Sequence, residues 1–520
     1  SRMREELGRE IELETVFAEP TIARLAVRLE SEPLMRLEVP PIEPAPRAAP
    51  LPPSFAQQRL IFLHILAPEN SSYNTPLGLR LRGPLEIPRL RGALRALVAR
   101  HETLRTTFAL VDEKPVQVIA PAGEIEIPLL DLSALSEADA PREATRCAAE
   151  ESSQPFDLFR GPVLRTALLR LHPAEHILLV TIHHIAMDGW SWGVFFREMA
   201  KLYEQGERAE LPRLPIQYAD YAHWQRQRLQ GDALERLADY WTRRLFAAPP
   251  LLELPSARPR SATPPHPGAE STRSIPPLLS AEIQALSRRE SATLFMVLLA
   301  AFQALLHART GRTDLVVGTD VAGRNRAELE GLIGFFVNQL VLRTDLSGNP
   351  SFREVIARAR ETAMGAYAHQ EMPFDRLVNL TAPRRNADDA PLFQVKLVLQ
   401  NAPAPAIESP GLTMEPVPVT TGTAQIDLNL RTWETPQGLF ISLQYRADLY
   451  DSATAELLLE HLEEVLRVAV ARPEIRLQEL AELLEERGRH QRSERDRDLR
   501  SAGREMLQSF RRRATAGGSR

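Results

Sequence analysis

Cysteine is almost missing: Cys147 is the single one in 520 residues. One thiol cannot close an intrachain disulfide, so no disulfide framework holds this fold, and the composition fits a reducing, cytoplasmic setting. Excess charge of one sign is also missing. The 63 Lys and Arg stand against 68 Asp and Glu, a net charge of -5, so nothing marks a nucleic-acid binder. Long apolar runs are scarce. The longest, Leu294 to Leu306, contains Gln303 and falls below the roughly 18–20 residues that span a bilayer. It reads as a buried core helix, and no membrane association is expected. No secretory leader is visible, and a start at Ser1 rather than Met reads as a piece of a longer polypeptide.

Apolar content is ample: at 44% hydrophobic, the chain can build two or more cores. Proline clusters suggest the boundaries. Val39-Pro40-Pro41-Ile42-Glu43-Pro44-Ala45-Pro46, continued by Pro50, Pro52 and Pro53, reads as a semi-extended linker over 37–53. Before it, Ile22, Leu25, Ala26 and Leu29 mark one helix face, in a segment (1–36) too short to be a domain. A second Pro-rich stretch, Pro249 to Pro277, divides the remainder into lobes at 54–248 and 279–484, with 249–278 as their connection. Both lobes mix helix and strand. Pro88 to Arg100 has helical spacing, Leu178 to Ile182 and Leu315 to Val317 are strand-like, and Leu294–His307 is followed by the strand Leu315–Gly318. The fold class is α/β, and a duplicated architecture fits without a repeat strong enough to prove it. The end, 485–520, is charged and reads as a solvated helix or a tail, with docking to another module as the sharper alternative.

The most informative segment is His183-His184-Ile185-Ala186-Met187-Asp188-Gly189. It ends an apolar, β-prone run, His176 to Ile182, and precedes a helix-like segment from Ser191 to Gln205. Strand alternation sends His183 and His184 to opposite faces, so one can pack while the other meets a substrate. Three chemistries compete. The first is acyl transfer, with the His184 imidazole as the working group and Asp188 holding the turn through an arginine. The second is a serine hydrolase: Gly189-Trp190-Ser191-Trp192-Gly193 matches G-x-S-x-G, although Ser191 is equally a helix N-cap and Trp192 would crowd a tight elbow. The third is a metal on His184 and Asp188, which needs a helix where Gly189 argues for a turn; no further ligand cluster has the spacing. Two packed core histidines are the bland alternative.

At these residues the chain resembles the condensation domains of nonribosomal peptide synthetases, whose signature is HHxxxDG. Other family motifs follow in order: Ser54-Phe55-Ala56-Gln57-Gln58-Arg59-Leu60, Arg100-His101-Glu102-Thr103-Leu104-Arg105-Thr106-Thr107-Phe108 and Tyr218-Ala219-Asp220-Tyr221-Ala222-His223-Trp224. Ile333-Gly334-Phe335-Phe336-Val337-Asn338-Gln339 and His369-Gln370-Glu371-Met372-Pro373-Phe374-Asp375 complete the set, so the resemblance runs from about Pro50 to Leu480. Departures are Ile61 where the family usually has Trp, Gln339 in place of Thr, and an eroded last motif, Arg385 to Leu392, with Asp389 where an Arg is usual. Ser1 to Glu30 resembles the last helices of a peptidyl carrier domain, whose phosphopantetheine-bearing serine would lie upstream.

The resemblance implies two chloramphenicol-acetyltransferase-like lobes in a V-shaped pseudo-dimer, with the histidine turn at their junction. It implies amide formation between an acyl or peptidyl thioester and an aminoacyl acceptor. Both arrive on phosphopantetheine arms of upstream and downstream carrier domains in adjacent synthetase modules, with no cofactor bound covalently to this chain. His184 then serves as base or positioner, and the Gly189 N–H as an oxyanion donor. Asp188 anchors the turn, with Arg324 as first and Arg343 as second choice of partner, while His183 packs. Arg105 and Asn338 support the site from their motifs. A non-catalytic module of the same fold that recruits partners stays open.

Overall fold

The computed structural model describes residues 15–16, 21–31, 40–249, 252, 254, 258, 266–381, 392–400, 407–409 and 411–489. The first half contributes β1 (Asn74–Arg82), β2 (Thr106–Val111), β3 (Lys114–Ile119), β4 (Leu129–Asp131), β5 (Leu164–His172) and β6 (Glu175–His183). The second contributes β7 (His266–Ile275), β8 (Asp314–Val321), β9 (Asn338–Asp345), β10 (Val395–Gln400), β11 (Ile407–Ser409), β12 (Leu412–Val417), β13 (Thr423–Ala424), β14 (Leu428–Thr435) and β15 (Gly438–Arg446). They assemble into a six-stranded sheet, β11-β12-β1-β6-β5-β4, a seven-stranded sheet, β13-β7-β15-β14-β10-β8-β9, and the β2-β3 hairpin. Both large sheets are mixed: β4 runs parallel to β5, and β10 parallel to β8 and β14, while the other pairs are antiparallel.

Each large sheet carries its own core. In the second lobe the helix Leu294–Thr310 is buried at every residue from Phe295 to Leu306, which is why its sequence is apolar all round. Among the described residues no single helix is long and apolar enough to cross a membrane. The bent pair Pro277–Arg289 and Leu294–Thr310 passes that test by length and composition only, and the second helix is core.

The lobe boundaries differ from the sequence expectation in two places. Residues 266–275, expected within the connection 249–278, form β7, which pairs with β15 along most of its length. Residues 407–417, expected in the second lobe, cross over as β11 and β12, and β12 pairs antiparallel with β1 of the first lobe. Leu412 and Met414 accordingly sit in the first lobe's core. An exchanged strand ties the lobes by backbone hydrogen bonds as well as side chains. The helix Ile22–Ser31 buries none of its residues. Most of the rest of the 1–36 segment, the tail beyond 489 and most of the Arg385–Leu392 motif lie outside the described residues.

Strand β6 is what positions the site. It lies between β1 and β5, and every residue from His176 to His183 is buried. A strand covered on both faces reads as a continuous apolar run, as this one does. After His183 the chain makes a short 3-10 turn, His184–Ala186, and enters the helix Gly189–Gln205 with Asp188 as N-cap. The turn is therefore held by a central strand before it and a capped helix after it.

Candidate active site at the histidine turn

The two histidines have different surroundings, because His183 ends β6 and His184 opens the 3-10 turn rather than continuing the strand as expected. His183 is 5% exposed, with Phe156 and Tyr73 against its ring. Its Nδ1 accepts from the Ile185 N–H at 3.1 Å. Burial pushes its pKa down to about 3, so it is neutral and structural. This sets a pH dependence. The folded pKa lies below the unfolded value of about 6.5, so the unfolded chain binds the extra proton between those values. The contribution is full above pH 6.5 and is lost as pH falls toward 3, at up to about 1.4 kcal/mol per unit. Urea denaturation between pH 7 and 5 should show stability falling with pH, and His183→Gln should flatten part of that slope.

His184 is half-buried and opens onto a cavity lined by residues of both lobes. Its Nδ1 lies 2.6 Å from the Met187 carbonyl oxygen, an acceptor only. Nδ1 therefore carries the proton, and Nε2 keeps its lone pair. Burial lowers the pKa of His184, opposed by the Met187 hydrogen bond and by the carboxylates of Asp188 and Asp320. The result is a neutral imidazole at pH 7, oriented by one backbone bond and packed 4.6 Å from the Phe335 ring. That is the state a proton acceptor needs.

Asp188 does not face the cavity. Its carboxylate is 1% exposed and accepts from Ser191 N at 2.8 Å, Ser191 Oγ at 2.7 Å and Phe336 N at 3.0 Å. Arg324 Nη2 reaches it at 3.2 Å, with both side chains essentially without solvent access. Arg324 also donates to the carbonyls of Leu329 and Leu332, and its guanidinium lies over the Phe336 ring at 4.1 Å. Asp188 and Arg324 thus pin the second-lobe segment 324–336 onto the first lobe. Gly323 makes the sharp entry to that segment: its φ is +64°, and a Cβ there would come 2.1 Å from the Phe336 carbonyl oxygen.

The remaining expectations divide. Asn338 lines the cavity and clamps the following motif, donating to Gln370 O at 2.8 Å and Met372 O at 2.7 Å and accepting from Phe374 N at 3.2 Å. Arg343 is not at the site. It lies five residues further along β9, roughly 16 Å of extended strand from Asn338, and pairs with Asp314 at 2.6 Å. Arg105 also lies elsewhere, donating to the carbonyls of Ala99 and Ala120. Gly189 is exposed on the same turn without lining the cavity; a Cβ on it would meet Gln400 Oε1 at 3.8 Å. Among the described residues its N–H, in the first position of the helix, has no acceptor.

The hydrolase reading fails on geometry. Ser191 has no solvent exposure, and its Oγ is occupied by Asp188, Arg324 Nη2 (2.8 Å), Gly334 N (3.1 Å) and Gly334 O (3.0 Å), with no imidazole among them. Ser191→Ala should keep any turnover at this site within a few-fold per folded molecule while costing about 1–3 kcal/mol of stability from stranded partners. A stable variant with abolished turnover would contradict this. The metal reading fails likewise, because the Asp188 oxygens point into the Arg324 network and away from the cavity that His184 faces.

Sequence reasoning missed how the motifs interlock. Tyr218 donates to Phe335 O at 2.6 Å, and Ser54 Oγ lies 2.8 Å from the Tyr218 hydroxyl. His101 Nδ1 accepts from Ile333 N at 3.3 Å while its Nε2 meets Glu198 at 2.8 Å. Motifs far apart in the chain therefore converge on the loop that packs against His184.

A family model described as Condensation domain matches residues 48–491. The chain belongs to that family. A linear gramicidin synthase polypeptide of Brevibacillus parabrevis is 44% identical over 482 residues, 91% of this chain and 6% of that protein. A probable non-canonical nonribosomal peptide synthetase of Salinispora arenicola is 41% identical over 490 residues, again 91% of this chain and 6% of the relative. The condensation domain thus spans a small fraction of such relatives. Among solved structures it resembles the X-domain from teicoplanin biosynthesis, at a TM-score of 0.77 and 30% identity, covering 85% of this chain and 99% of that one. That X-domain has also been solved as a complex with OxyB. The two lobes have the chloramphenicol-acetyltransferase-like fold of these neighbours.

Proposed function

We propose that this condensation domain joins an acyl or peptidyl thioester, carried on one phosphopantetheine arm, to the amine of an aminoacyl group carried on another. The observation that carries the reading is His184: a neutral imidazole that lines a cavity shared by both lobes, with Nδ1–H bonded to the Met187 carbonyl and no partner for Nε2 among the described residues. An α-amino group has a pKa of about 7.7–8.0, so a useful fraction is neutral near pH 7.5. Its nitrogen attacks the thioester carbonyl carbon, forming C–N and a tetrahedral oxyanion. The nitrogen becomes positively charged, and its proton passes to His184 Nε2. Collapse breaks C–S, and the proton leaves with the thiolate sulfur as free thiol. The Gly189 N–H has no acceptor among the described residues but does not line the cavity, so the oxyanion is not assigned to it. Tethering both substrates supplies much of the rest by positioning. Upstream and downstream carrier domains in adjacent modules are the partners, and no cofactor is required on this chain.

Because His184 is held below its ordinary pKa, the acid limb of the rate profile should fall below pH 6.5, after correction for amine titration. Incubation with an acyl-pantetheine thioester and an aminoacyl-pantetheine tests the reaction class. An amide product by mass supports condensation, and a free acid as sole product supports hydrolysis instead. The likeness to a solved X-domain favours one second reading, a partner-recruiting module without turnover. That reading expects carrier binding with neither product.

A further inference from the structure

One polar cluster in the cavity touches the chemistry above only through the charge of Asp320 on His184. Three neighbouring strands of the second lobe, β10, β8 and β9, present Lys396, Asp320 and Gln339 to the cavity that His184 faces. Lys396 is only 8% exposed, and its Nζ lies 2.9 Å from Asp320 Oδ2. Asp320 Oδ1 accepts from Gln339 Nε2 at 3.4 Å, the far edge of hydrogen bonding. Gln339 is itself held from the first lobe, where Arg59 Nη1 donates to its Oε1 at 2.8 Å.

The inventory leaves spare capacity. An ammonium has three N–H donors, and Lys396 uses one among the described residues. A carboxylate offers about four lone-pair positions, and Asp320 uses two, one weakly. Donor and acceptor capacity therefore lie side by side in a cavity wall. The pair is neutral overall, so a charged ligand tip meets a like charge on one member. An apolar tip displaces water and leaves nearly buried N–H groups without partners. A neutral tip that both donates and accepts satisfies both members at once.

We propose that Lys396 and Asp320, braced by Gln339, form a selecting subsite for a side chain with a carboxamide or hydroxyl tip on one of the two tethered residues. This rests on the condensation reading. The subsite binds substrate and does not touch the reacting atoms.

The test offers near-isosteric pairs, Asn against Leu and Thr against Val, on the acceptor carrier and then on the donor carrier. The polar member of each pair should have a kcat/KM higher by about tenfold or more on one side. In the Asp320→Asn, Lys396→Met double variant that ratio should collapse to about one. Affinities of the corresponding non-reactive aminoacyl-pantetheine amides for the unaltered chain should show the same preference. A ratio near one on both sides, in turnover and in binding, overturns the proposal and leaves the ion pair a purely structural feature, as does a preference that survives the double variant. Binding preference without product from any pair would retain the subsite and remove the condensation reading; product without preference would do the reverse.

Discussion

His184→Ala is expected to lower amide formation by roughly 10²–10⁴-fold while leaving the fold intact. The side chain is half-buried, and its one polar tie among the described residues is the bond from Nδ1 to Met187 O, so its loss strands a single carbonyl beside the cavity. The effect should fall mainly on kcat, because the ring acts on the amine proton rather than on the tethering arms. His184→Gln separates the two roles of the ring. It keeps a polar side chain without a comparable base, so strong rescue would make His184 a positioning residue only. His183→Gln should behave differently, with its cost in stability and little direct effect on turnover, since that ring faces Phe156 and Tyr73.

Asp188→Ala carries the largest expected stability effect. It leaves Arg324 buried without its counter-charge, removes the helix cap at Ser191 N and releases Phe336 N. A broken buried ion pair costs about 3–5 kcal/mol, enough to reduce soluble yield or lower the melting midpoint by on the order of 10 °C. Activity should fall with it, because the segment pinned by Arg324 carries Phe335 to the His184 ring. Replacing both charges, Asp188→Ala with Arg324→Met, should cost less than the sum of the single changes, as measured by denaturation of the four proteins. Full stability of Asp188→Ala with lost turnover would assign the carboxylate to the chemistry instead.

The turn itself was legible because its signals are local. An apolar run ending in two histidines forecasts a buried strand; the cap, expected at Ser191, falls instead on Asp188, because the helix already opens at Gly189. Arg324 was within reach because it follows the readable strand β8. Arg343 failed because the count of residues along β9, and not the nearness of a motif, decides where it sits. Strand β7 was hidden by its own composition. His266 to Ile275 is mostly polar, with one Pro and one Gly, and only Ile275 is buried, so it reads as loop until β15 pairs with it. The crossover of β11 and β12 is a long-range pairing with no local trace. The Lys396–Asp320 pair likewise joins residues 76 positions apart on strands that only the sheet makes neighbours.

Transfer between carriers tests the central claim most directly. The chain is mixed with a donor carrier loaded with an acyl thioester and an acceptor carrier loaded with an amino acid, and the intact mass of each carrier is followed in a single turnover. The account predicts that the acceptor carrier gains the acyl group and the donor carrier returns to free thiol. It also predicts that His184→Ala abolishes the transfer on the same time scale. Unchanged carrier masses with the unaltered, folded chain, tried across several donors and acceptors, would contradict it, as would transfer that proceeds equally well without His184.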